Sequence, residues 1–129
     1  MPEPRHDGRD PLTERIIGAA IEVHRNLGPG LLESIYGSCL SWELRQRCIM
    51  AEQQVPLSVT YKGMRLRNAY RLDLIVEQAV IVELKAVDHL PPLIDAQVLT
   101  YLKLTGLHTA LIINFNAGML RDGVRRLVL

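Results

Sequence analysis

Cysteine is nearly absent from this chain. Cys39 and Cys48 are its only two, nine positions apart in one predicted helix, so they cannot easily meet. There is no CxxC pair and no Cys/His zinc spacing. That excludes a disulfide-stapled fold and a structural zinc site, and two reduced thiols suit a reducing, cytoplasmic compartment. An excess of one charge is also lacking: fifteen Lys and Arg stand against fourteen Asp and Glu, for a net charge of +1. A protein that holds nucleic acid by charge alone would be far more basic, so any phosphate binding has to be local, through a patch or a metal ion. No apolar run approaches the roughly 18 residues of a membrane span. The first ten residues are polar, lack the hydrophobic run of a signal peptide, and read as a disordered tail. No repeat, low-complexity segment or linker divides the remainder. Residues 11–129 are therefore expected to form one domain, long enough to bury a core without staples. Its 48% hydrophobic content is ordinary for a soluble globular protein.

What is present is periodicity that changes along the chain. Asp10-Pro11 is a helix start, a capping side chain followed by a residue with a preset φ. Ile16, Ala20, Val23 and Leu27 recur at helical spacing until Gly28-Pro29-Gly30 ends the run. A second helix is expected from about Leu31 to Arg47, with two adjacent stripes: Leu32, Ile35, Cys39 and Trp42, and Glu33, Tyr36, Leu40 and Leu44. Strand alternation follows in Val55, Leu57, Val59 and Tyr61. A second strand is expected from about Met64 to Val76, with a bulge or bend near Asn68 and with Tyr70, Leu72, Leu74 and Val76 alternating with Arg71, Asp73 and Ile75. In a third, Val80 to Val87, Ile81, Glu83, Lys85 and Val87 share a face. Pro91-Pro92 opens a third helix, which Gly106 closes. Thr109 to Phe115 is almost continuously apolar, as in a buried interior strand, and Val124 to Leu129 reads as a last strand. The order is ααβββαββ, an α/β fold.

One hairpin poses an electrostatic problem. If Glu77-Gln78-Ala79 is its loop, Val76 pairs with Val80, and Asp73 lies opposite Glu83 on the same face. Opposed side chains in an antiparallel pair have Cβ atoms about 4.5–5.5 Å apart, and two like charges there are destabilising. A divalent cation between the carboxylates resolves the conflict. Mg²⁺ or Mn²⁺ takes hard oxygen ligands, commonly one or two carboxylates plus water and substrate phosphate. Lys85, two residues beyond Glu83, shares its face and can orient an attacking water or stabilise charge building on a phosphate. Charged residues are seldom central to apolar strands without a partner. Gln97 and Tyr101, four apart on the third helix, share a face and can hold phosphate or water. Glu33 and Tyr36 are three apart at the start of the second helix. Arg71 lies near the acids in the same register.

These residues match a family. Gly30-Leu31-Leu32-Glu33-Ser34-Ile35-Tyr36 resembles the signature of the bacterial GxxExxY proteins, which are similar to the PD-(D/E)xK nuclease superfamily. Val23-His24, Leu27-Gly28-Pro29-Gly30, Glu83-Leu84-Lys85, Gln97 with Tyr101-Leu102, and Asn114-Phe115-Asn116 follow the same pattern. The resemblance covers the chain from about Thr13 to Phe115 and implies a PD-(D/E)xK nuclease-like core: a mixed central sheet of about four strands flanked by helices, here with an extra first helix and an added last strand. It implies that Asp73 and Glu83 bind Mg²⁺ or Mn²⁺, that Lys85 is the catalytic lysine, and that Glu33 completes or orients the metal site. It further implies that Gln97 and Tyr101 support the site and contact nucleic acid. Tyr36 belongs to the signature and is grouped with the substrate-contacting residues. His24 is expected to be a packed or capping histidine. The superfamily's proline before the first acid is absent; Arg71-Leu72-Asp73 stands there.

The leading expectation is a metal-dependent nuclease acting on DNA or RNA, without a membrane. A non-catalytic nucleic-acid- or protein-binding module on the same fold is the alternative. The third reading is a small structural or regulatory protein acting through oligomerisation, a homodimer formed edge to edge through Leu127-Val128-Leu129; for the nuclease itself, weak sequence preference or a recruiting protein partner is expected.

Overall fold

The structure of the chain, a computed structural model, describes residues 10–129. The tail expected over residues 1–10 lies, apart from Asp10, outside the described residues.

Helix α1 spans Pro11–Leu27. Its first turn is closed by Asp10, whose carboxylate accepts from the Thr13 N–H at 3.2 Å while the Thr13 hydroxyl donates back to the Asp10 carbonyl at 2.9 Å. Such caps satisfy backbone donors that the helix cannot. Ile16, Ile17, Ala19, Ala20 and Val23 are buried. Helix α2 spans Glu33–Gln46. Of its two apolar stripes, Tyr36, Leu40 and Leu44 are wholly buried, whereas Leu32, Ile35 and Trp42 face solvent.

The strands among the described residues are β1 (Ala51–Tyr61), β2 (Met64–Val76), β3 (Val80–Lys85), β4 (Thr109–Asn114) and β5 (Val124–Val128). They lie in the sheet in chain order, and every neighbouring pair is antiparallel except β3 and β4. A parallel pair needs a crossover, here helix α3 (Ile94–Thr105). The mixed sheet, flanked by helices in the order ααβββαββ, is the expected fold, with a short 3₁₀ turn at Leu120–Gly123 added before β5. Helices α1 and α2 pack on one face with Leu74, Val76, Val80, Val82, Leu84, Leu111 and Ile113. The other face carries Leu72, Ile75, Ile81, Ala110 and Ile112 beneath Ile94, Val98, Tyr101 and Leu102 of α3.

Two features of the β1–β2 ribbon depart from simple alternation. The expected irregularity near Asn68 is a bulge: the register shifts between Leu57 and Val59, and Asn68 has φ +53°. The second feature was not expected. Leu74 and Val76 face α1 and α2, but Leu72 and Tyr70 pack on the α3 side. Strand β1 does the same, with Ala51 on the first side and Val55 and Leu57 on the second. Residues two apart in a regular strand share a face, so both strands exchange faces between these positions, at Asp73 in β2 and Gln54 in β1. The even-numbered face expected to run unbroken from Tyr70 to Val76 is therefore split. β1 begins at Ala51, where the sequence texture changes, and Ala51, Glu52 and Gln53 pair with Val76, Ile75 and Leu74 although Glu52 and Gln53 are exposed polar residues.

Two glycines hold the layers together. A Cβ on Gly37 would stand 3.3 Å from Leu84, which shows how closely α2 approaches β3. A Cβ on Gly123 would fall 2.3 Å from the Asn114 carbonyl oxygen, so the turn before β5 can touch the end of β4 only with glycine there.

Candidate active site

The β2–β3 hairpin has the three-residue turn Glu77-Gln78-Ala79 and pairs Val76 with Val80, Ile75 with Ile81 and Leu74 with Val82. There the ladder stops. Asp73 and Glu83, expected as a directly opposed pair, are not joined through the backbone; the strands part at the point where β2 exchanges faces. Asp73 turns its carboxylate toward the neighbouring strand, and Oδ2 accepts the Leu84 N–H at 2.8 Å. A side chain thus replaces a ladder carbonyl, and the hairpin opens around the acids.

Glu83 is 7% exposed. Its Oε2 lies 3.6 Å from Lys85 Nζ, while its Oε1 is buried without a hydrogen-bond partner. Alternation along β3 puts both residues on the α3 side. Glu33, in the first turn of α2, is exposed and accepts from the Ala86 N–H at 3.3 Å just past β3. With Ser34, Gly37, Gln54, Asp73 and Leu84 it lines a cavity of about 200 Å³. Glu33, Asp73, Glu83 and Lys85 are thus brought together from α2, β2 and β3.

Burial sets the electrostatics. Glu83 is pushed up to about 7, first by desolvation and then by the Asp73 charge, with Lys85 pulling it back. The Asp73 carboxyl is raised as well, by desolvation and by Glu33, against the lowering effects of the Leu84 N–H and Lys85. The Asp73 charge thus makes ionisation of Glu83 harder, and near neutral pH Glu83 is divided between its two forms. A buried carboxylate oxygen without a partner, as Glu83 Oε1 is, is costly. An orphaned hard oxygen beside a second carboxylate suits a cation such as Mg²⁺ or Mn²⁺, which takes oxygen ligands. Among the described residues no three His, Cys, Asp or Glu side chains form a ready-made metal cage, so the chain would furnish a partial shell.

The remaining expected residues divide. Tyr101 is 3% exposed and packs edge-on against Tyr70 with centroids 5.2 Å apart. Its phenol is pushed up to about 12 by desolvation first and then by Glu83, Tyr70 and Asp73; it stays neutral near the acids and can donate a hydrogen bond. Gln97, one turn earlier on α3, is exposed, and its carboxamide bonds to no described residue. Arg71 pairs with Pro56, is exposed, and by the face exchange lies on the side away from α3. Its expected place beside Glu83 and Lys85 is therefore corrected.

Tyr36 also requires correction. Its ring is fully buried and stacks on Phe115 at 4.3 Å and 9°. Its hydroxyl donates to the Gly28 carbonyl and accepts the Leu31 N–H, so it fastens the α1–α2 loop and has no free edge for a substrate. His24 fits the packed reading, with Nε2 2.9 Å from the Ala117 carbonyl oxygen. The Asn114-Phe115-Asn116 segment knits the same end of the molecule. Asn114 exchanges hydrogen bonds with both backbone groups of Val87, Phe115 donates to the Lys85 carbonyl, and Asn116 Oδ1 accepts from Gly30 N–H. These bonds fix the chain on either side of Lys85 and Glu33. Sequence reasoning missed Gln54, a polar strand residue among others, because nothing in a glutamine announces a left-handed backbone.

The fold and this cluster define a class: an α/β protein with a buried carboxylate, a half-buried one and a lysine where a β-hairpin opens beneath a helix. The sequence model of the PD-(D/E)XK nuclease superfamily matches residues 10–127, and the chain belongs to that superfamily. No curated protein and no solved structure matches it significantly. Among the described residues no helix is long and apolar enough to cross a membrane.

Proposed function

We propose that this chain is a Mg²⁺- or Mn²⁺-dependent nuclease that hydrolyses phosphodiester bonds of nucleic acid. The observation that carries the reading is the buried, unpartnered Glu83 Oε1 beside a second raised carboxylate, Asp73. Asp73 and Glu83 would hold the ion, with Glu33 completing or orienting the site. A bound divalent cation would polarise the scissile phosphate and acidify a water. Lys85 keeps an ammonium beside Glu83, where it orients the attacking water and opposes negative charge growing on the phosphate. Tyr101 keeps its proton throughout the physiological range and serves as a hydrogen-bond donor beside the acids. Gln97, exposed one turn away, offers a carboxamide to the nucleic acid.

The near-neutral net charge gives little non-specific hold on DNA, so substrate grip is local or comes from a recruiting partner. The resemblance to GxxExxY proteins agrees with this reading and does not distinguish DNA from RNA.

The test combines cleavage with calorimetry. The protein is incubated with end-labelled single- and double-stranded DNA and RNA in Mg²⁺, Mn²⁺ or chelator, and Mn²⁺ binding is titrated in parallel. Metal-dependent cleavage that is lost in Asp73→Asn and Glu83→Gln, together with lost Mn²⁺ binding, supports the proposal. A parent protein that binds no Mn²⁺ and cuts none of the four substrates refutes it. Mn²⁺ binding without cleavage would favour the alternative of a nucleic-acid- or protein-binding module.

A further inference from the structure

Gln54 has the left-handed backbone that L side chains rarely adopt, with φ +55°. It is neither a hairpin turn nor the bulge near Ser58. It sits in the middle of β1 between Gln53, paired with Leu74, and Val55, paired with Leu72. The position across from it is Asp73. Both strands exchange faces at this point and keep their register across it, and of the two facing residues it is Gln54 that has the left-handed backbone.

Left-handed non-glycine residues persist only where surrounding structure over-determines them, and they gather at functional sites. If only the exchange of faces were required, glycine would provide it without strain. The chain has glutamine instead, and that glutamine lines the cavity shared by Glu33 and Asp73. Its carboxamide bonds to no described residue. The cavity already holds the Glu33 and Asp73 carboxylates, so a further negative charge there would be unfavourable. A carboxamide adds one acceptor and two donors with no charge.

We propose that Gln54 is a positioning residue of the acid pocket: the left-handed backbone carries its carboxamide into the Glu33–Asp73 cavity, where it holds the water shell of a hydrated divalent cation. The inference rests on the nuclease reading above, and it assigns the cavity to metal-bound water rather than to a base or sugar. At about 200 Å³ the space suits a few waters, each taking roughly 30 Å³ of liquid volume.

The experiment uses the full chain and two variants, Gln54→Gly and Gln54→Asn. Glycine removes the carboxamide and relieves the backbone. Asparagine keeps the amide and tolerates the left-handed region. Each protein is melted in chelator and titrated with Mn²⁺ by calorimetry. The expected result for Gln54→Gly is a melting temperature equal to or above the parent's, with Mn²⁺ affinity reduced at least about tenfold, the usual effect of losing a group that supports a metal shell. Gln54→Asn should recover part of that loss. Opposite signs for stability and affinity cannot come from a purely structural role. Parent-like Mn²⁺ affinity in Gln54→Gly would overturn this proposal and leave the nuclease reading intact. A lower melting temperature with equally weak binding in both variants would trace the effect to the fold and overturn it too. If the parent binds no Mn²⁺, the nuclease reading fails and this inference fails with it.

Discussion

Replacing Glu83 by glutamine should make the metal-free protein more stable at alkaline pH and leave it no more stable in acid. The Glu83 carboxyl is raised from 4.5 to about 7 on folding, so the folded state binds its proton more tightly than the unfolded chain does. Its contribution is fully present below 4.5, falls as pH rises through 7, and is gone by about pH 8. Each tenfold difference in proton affinity corresponds to about 1.4 kcal/mol, so the loss is at most about 3 kcal/mol, part of it shared with Asp73. At roughly 4 °C per kcal/mol for a chain of this size, the melting temperature in chelator should fall by about 10 °C between pH 5 and pH 8. Glu83→Gln cannot ionise there, so most of that slope should vanish, and the variant should melt several degrees above the parent at pH 8. Saturating Mn²⁺ should restore the parent at pH 8, by about 2.7 kcal/mol when free metal is a hundred times the dissociation constant, and leave the variant unmoved. The assay is thermal unfolding from pH 4.5 to 8.5 with and without Mn²⁺. Parallel curves for parent and variant in chelator would refute the account of Glu83 as a buried, raised acid.

Three further outcomes follow from the geometry. Lys85→Met removes the ammonium 3.6 Å from Glu83 and keeps its bulk; cleavage should drop by at least about a hundredfold with Mn²⁺ still bound, and unchanged turnover would exclude Lys85 from the chemistry. Tyr36→Phe strips the hydroxyl from the Gly28 carbonyl and the Leu31 N–H and should cost about 1–2 kcal/mol in urea unfolding while Mn²⁺ affinity holds; weakened Mn²⁺ binding at unchanged stability would return Tyr36 to the site. Gly123→Ala sets a methyl 2.3 Å from the Asn114 carbonyl, so it should cost more than about 2 kcal/mol and loosen the Val87 clamp, read as faster amide exchange at Val87; a neutral effect would mean the turn can move away freely.

The helices and strands were legible because their signals are local. Asp10-Pro11 and Gly106 mark helix ends by capping chemistry, and the apolar run from Thr109 to Phe115 marks a strand with neighbours on both sides. The acids were legible too: an apolar strand has no packing reason to carry Glu83 and Lys85. Arg71 was misplaced because period-two alternation was extended through Asp73, where the strand changes faces. Tyr36 was misread because a motif records that a residue is kept, not whether its hydroxyl faces a ligand or a loop.

By itself, then, the sequence determined the order of elements, the turn that sets the hairpin register, and which charged side chains interrupt the apolar strands, since all of these follow from spacing along the chain. Tertiary structure alone decided that the strands part after Leu74 and Val82, that Asp73 takes the Leu84 N–H, and that Gln54 meets Glu33 over a common cavity. Those outcomes depend on helices packing from both faces of the sheet. Such packing can hold one residue in a left-handed backbone and bury an acid such as Glu83, and no local pattern encodes either.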